Sequence, residues 1–113
     1  MTRSEELAEL RDQPRPAPET ALGRAVASAL GEAQSLLDFS NREQKTDEGP
    51  VLATWLGTLF QAEFPDAQIE FIAVVNPETL EFLENISGEA FVALGVNFQG
   101  ERVADGVHIR RLR

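Results

Sequence analysis

At 113 residues, with a formal net charge of -9 and no cysteine, the chain is sized for one domain and repels a phosphate backbone; disulfides, thiolate metal sites and cysteine nucleophiles are excluded. Apolar residues at 42% and charged residues at 26% match ordinary globular usage, which argues against wholesale disorder. The opening MTRSEELAELRDQ lacks the apolar core of a signal peptide and no apolar run is long enough to cross a bilayer, so the expectation is a cytoplasmic protein that binds neither membrane nor nucleic acid.

In chain order, Thr2 and Glu5 have the spacing of a capping box, and Leu7 and Leu10 give one apolar edge to a short helix ending near Arg11. QPRPAPE, residues 13–19, carries prolines at alternate positions and favours an extended conformation, so residues 1–19 read as a polar, proline-rich, flexible leader. From Thr20, a plausible cap, Leu22, Val26, Leu30, Ala33 and Leu37 recur at helical spacing. Gly23 and Gly31 weaken that helix by about 1 kcal/mol each relative to alanine, and they mark either close packing or fraying. FSNREQKTDEGP is a polar break in which Pro50 suits the first turn of the next helix. Val51, Leu52, Trp55, Leu56, Leu59 and Phe60 make a wide apolar face that ends before Pro65, with Trp55 read as a core anchor.

Beyond Pro65 the period changes to two. Ile69, Phe71, Ala73 and Val75 share one face of a strand closed by Asn76-Pro77. Leu80, Phe82, Leu83 and Ile86 supply apolar mass to the connection, and Ala90, Val92, Leu94, Val96 and Phe98 share one face of the next strand. Gln99-Gly100 predicts a tight turn into a last strand near Val103 to Ile109, in which Asp105-Gly106 suggests a bulge or a break. The fold class is α+β: two main helices packed on a small, mainly antiparallel three-stranded sheet, built from residues 20–113.

Little of this sequence carries chemistry. His108 is a lone histidine on a strand, without the further ligands that zinc requires, so no metal site is expected. No serine has a G-x-S-x-G setting, and neither a P-loop nor a dinucleotide fingerprint offers a phosphate cradle. No residue reads as catalytic. The residues alone describe a binding, lid or assembly domain.

From Gln68 onward, QIEFIAVVNPETLEFLENISGEAFVALGVNFQGERVADGV resembles the C-terminal domain of pantothenate synthetase (pantoate-beta-alanine ligase). Phe71 stands where that family has a tyrosine, and Val75-Asn76-Pro77-Glu78-Thr79-Leu80 matches its V-D-P-E-T-L turn with Asn76 for the aspartate. The segment 101–106 stands on its G-x-x-R-L-I-D-N closing motif, keeping Arg102 and Asp105 but placing Gly106 for the asparagine. The preceding helices fit as patterns, so the resemblance spans about Thr20 to Ile109.

The resemblance implies a lid over an active site on the coenzyme A pathway, where pantoyl adenylate forms from ATP and pantoate before beta-alanine displaces AMP. Nearly all reacting groups of that family lie in a larger N-terminal domain, with His-x-Gly-His and Ser-Ser-Arg segments absent from these 113 residues. ATP and Mg are therefore implied for the family only, and the partner is a separate catalytic domain or a second copy of the chain. Arg102 and Asp105 are the candidate cofactor-binding residues; the alternatives for them are an ion pair fixing the last strand or a remnant contact to a partner domain or nucleotide. The other functional reading is a non-catalytic binding or oligomerisation module that kept the fold.

Overall fold

The computed structural model describes residues 2–13, 19–41 and 48–111. They form α1 (Arg3–Asp12), α2 (Ala21–Gly31), α3 (Ala33–Asn41), α4 (Glu48–Glu63), β1 (Gln68–Val75), β2 (Glu89–Phe98) and β3 (Glu101–Arg110). The proline run at 14–18 and most of the polar break at 42–47 lie outside the described residues. No described helix is long and apolar enough to cross a membrane.

Gln99 and Gly100 set the register of the β2–β3 hairpin. Both adopt positive φ, 51° and 84°, as a two-residue primed turn requires, and Phe98 faces Glu101 across it. Pairing then runs without interruption to Glu89 and Arg110. The bulge expected at Asp105-Gly106 does not occur, because Ala93 faces Gly106 and Leu94 faces Asp105 in regular register. It lies instead in β1, where the pairing with β2 slips between Ile69 and Phe71. The sheet is antiparallel, in the order β1-β2-β3.

That slip divides the apolar face expected for β1. Ile69 packs with Ile72 and Val74 toward α2, α3 and α4, whereas Phe71, Ala73 and Val75 face the other way. An extra residue inverts the side-chain alternation of everything before it. The face expected for β2 is observed: Ala90, Val92, Leu94 and Val96 are buried in the main cluster, with Phe98 against it. The intervening Phe91 and Ala93 are buried as well, because α1 covers the opposite face with Leu7 and Leu10. The boundary expected at Thr20 therefore leaves a helix that packs on the sheet outside the domain. Two leucines three residues apart find an apolar surface that no local sequence pattern announces.

Among the helices, the first of the two expected runs is broken into α2 and α3 at Glu32, whose N–H turns back to the Ala29 carbonyl at 3.1 Å. Gly31 is exposed beside the break, whereas Gly23 is buried, so the two glycines divide between the two roles expected of them. In α4, Leu52, Leu56 and Phe60 form the buried stripe. Trp55 is a rim residue rather than a core anchor: it is half-buried, its ring tilted 6.1 Å from that of Phe39, which is itself exposed. The apolar face of this helix is wider than the stripe the sheet can cover.

Candidate functional site

Strand alternation separates the two candidate site residues. Arg102 lies across from Asn97 on the α1 side of the sheet, and Asp105, three residues on, points to the opposite side. They do not form the expected ion pair. Instead Arg102 donates through Nε to Glu70 Oε1 at 2.7 Å, and its Nη1 lies 2.7 Å from Glu6 Oε2. One guanidinium thus joins β3 to the bulged start of β1 and to α1. The fork geometry of arginine suits two carboxylates approaching from different directions.

Around this junction, Arg3 Nη1 lies 2.8 Å from Glu6 Oε1, and its guanidinium sits 4.1 Å from the centre of the Phe71 ring. The hydrogen bond from Arg102 is the main cause that holds the Glu6 carboxyl below its usual range, and the same contacts push Arg102 upward. Farther along α1, Arg11 donates to the carbonyl oxygens of Pro77 at 2.8 Å and Glu78 at 3.3 Å. Sequence reasoning missed Glu6, Glu70, Arg3 and Arg11. The Arg3–Glu6 pair has i,i+3 helical spacing and was open to sequence reasoning. The contacts of Glu6 and Glu70 with Arg102, of Arg3 with Phe71 and of Arg11 with the turn after β1 join residues far apart along the chain, and periodicity carries no information on such pairs.

Asp105 is half-buried, and its Oδ1 accepts the backbone N–H of Gly106 at 2.8 Å. Burial raises its carboxyl above the ordinary range, partly offset by that hydrogen bond. The glycine at 106 has a steric cause: a Cβ there would lie 2.3 Å from Cζ of the buried Phe91 ring. His108, directly across from Phe91, is exposed with its ring 4.9 Å from that phenyl ring.

The turn after β1 is held by Asn76, whose Oδ1 accepts the N–H groups of Glu78 at 2.8 Å and Thr79 at 3.1 Å. An aspartate carboxylate would accept the same two bonds, which accounts for the interchange at this position. The chain then returns along the edge of β1: Leu83 N–H bonds the Val74 carbonyl, and Phe82 is left 73% exposed. A shallow concavity of about 300 Å³ lies here, lined in part by Asn76, Glu78, Asn85, Ser87 and Glu89.

These features do not suit ATP or Mg. The Arg102 guanidinium is engaged by two carboxylates, Asp105 is turned to its own backbone, and the concavity carries two glutamates and no arginine or lysine among its lining residues. Among the described residues no group of three or more His, Asp or Glu could hold a metal ion.

Two crystal structures of pantothenate synthetase from Thermus thermophilus match the molecule with a TM-score of 0.56 and 19% sequence identity. The chain shares the fold of one part of pantothenate synthetase. The match covers 78% of this chain but only 31% of the synthetase chain, a share consistent with a C-terminal domain alone. No family model and no curated protein matches the sequence.

Proposed function

We propose that the chain is a cover domain of the pantothenate synthetase type, acting in the ATP-dependent condensation of pantoate with beta-alanine only together with a nucleotide-binding domain supplied outside these 113 residues. The observation that carries this reading is the shared fold over 78% of the chain against 31% of the synthetase. The ordered match of Val75 to Leu80 and of Arg102 and Asp105 accompanies it. A cover of this kind contributes by excluding water from a reactive adenylate and by completing a pocket. It needs no reacting group of its own, and ATP and Mg belong to the other domain.

A second reading is favoured by one observation: Arg102, one of the two charged residues kept from the closing motif, is held by Glu6 and Glu70. On that reading the chain is a non-catalytic binding or oligomerisation module. Pantothenate formation from ATP, pantoate and beta-alanine separates the two. The intact chain is assayed alone and with the nucleotide-binding domain of a pantothenate synthetase. The cover reading expects no turnover alone and a gain on mixing; turnover by the chain alone, or no gain on mixing, overturns it.

A further inference from the structure

The two faces of the sheet are covered very differently. α2, α3 and α4 pack on one face with a cluster of buried side chains that includes none from α1. The other face is covered, among the described residues, by α1. Its floor combines the small residues Ala73, Ala93 and Ala104 with Val75 and with the rings of Phe71 and Phe91, which lie over Gly95 and Gly106. The small residues let a helix approach closely, and the two rings give its leucines something to pack on.

Polar groups mark both ends of this surface. Arg102, level with the start of β1, takes the carboxylate of Glu6, and the Pro77 and Glu78 carbonyls beyond the end of β1 take the guanidinium of Arg11. The helix that fits reads acidic, Leu, two spacers, Leu, basic, which α1 supplies as Glu6, Leu7, Leu10 and Arg11. These groups lie within six consecutive residues, so the recognition is contained in a short helical segment. A ten-residue helix is too short to persist in water unless docked, and the main cluster is complete without it.

We propose that α1 is a detachable strap latched through Arg102, and that the face it covers receives a helix of the same acidic-Leu-x-x-Leu-basic pattern from a partner protein in place of α1. This is the helix-in-groove mode of recognition, with charge complementarity at Arg102 fixing register. It goes beyond the proposed reading and stands whether or not a pantothenate synthetase domain binds the chain.

The test is hydrogen exchange on the intact chain, joined to titration with a labelled peptide of residues 2–13. In the unmodified chain the α1 amides exchange faster than those of β2, by about tenfold or more. Arg102→Gln speeds α1 by a further factor of about two to five, the worth of a solvent-screened ion pair, and leaves β2 unchanged. Leu7→Asp with Leu10→Asp expels α1 while β2 stays protected, and this variant binds the peptide more tightly than the unmodified chain does. Equal exchange of α1 and β2 overturns the strap, as does loss of β2 protection in the double variant. A protected double variant that fails to bind the peptide overturns the docking face.

Discussion

At the scale of single residues, two glycines on the α1 side of the sheet make way for rings, but the rings differ in freedom. A Cβ on Gly106 would meet the Phe91 ring, which is buried on all sides, whereas one on Gly95 would meet Phe71 Cε1 at 2.1 Å on a half-buried ring that has room to turn. Gly106→Ala is therefore expected to cost about 1–3 kcal/mol, the usual range for overpacking. Gly95→Ala costs less and loosens the contact of Arg3 with Phe71; urea unfolding of both variants decides the order. Asp105 carries a pH signature. Its folded carboxyl titrates above its unfolded value, so ionisation costs stability at neutral pH, and that cost fades as pH falls through the folded value. Asp105→Asn is accordingly expected to melt higher than the parent at pH 7 and to lose that advantage at about pH 4, where an ordinary carboxylate begins to protonate. The glycine at 106 was legible in principle: the two-residue turn at Gln99-Gly100 fixes Phe91 opposite His108 and hence one diagonal step from Gly106. The partners of Arg102 were not, since Glu6 and Glu70 reach it through tertiary packing.

At the scale of elements, the sequence is legible where a local rule governs and silent where packing decides. Thr2 caps α1 by accepting Glu5 N–H at 3.2 Å, and Thr20 caps α2 by accepting Gly23 N–H at 3.1 Å, both on rules that need only a few neighbours. The alternation of β2 and its turn into β3 follow the same logic. The slip in β1 has no such signal, because Ile69-Glu70-Phe71 alternates as regularly as an unbulged strand. The division of α2 from α3 is likewise invisible in the apolar spacing, which continues through Leu37. Gly31 beside that division is exposed, and a Cβ there meets nothing within 4 Å. Its φ is not in the left-handed region, so alanine fits without strain. Gly31→Ala is expected to stabilise the molecule by about 0.5–1 kcal/mol, through higher helix propensity and a less flexible unfolded chain. A thermal melt shifted upward supports this; a downward shift would mean that the break itself depends on glycine.

At the scale of the whole molecule, β2 is the element on which everything else depends. Its even-numbered residues Ala90, Val92, Leu94 and Val96 enter the main cluster, and Phe91 and Ala93 enter the cluster under α1. Buried on both faces and paired along both edges, the strand has no side on which a charge could reach water. Val92→Asp places a carboxylate at a fully buried position with no cation planned for it. The expected result is loss of the cooperative transition, because the cost of an unpaired buried charge is comparable with the roughly 5–15 kcal/mol that holds a domain together. Leu7→Asp makes the same kind of change at an equally buried leucine, yet it strikes a helix that can withdraw into solvent and take the charge with it. The main cluster then keeps its cooperative melt. Circular dichroism melts of the two variants, side by side, test this hierarchy: a cooperative Val92→Asp would move the centre of the fold away from β2, and an unfolded Leu7→Asp would make α1 an integral part of the core.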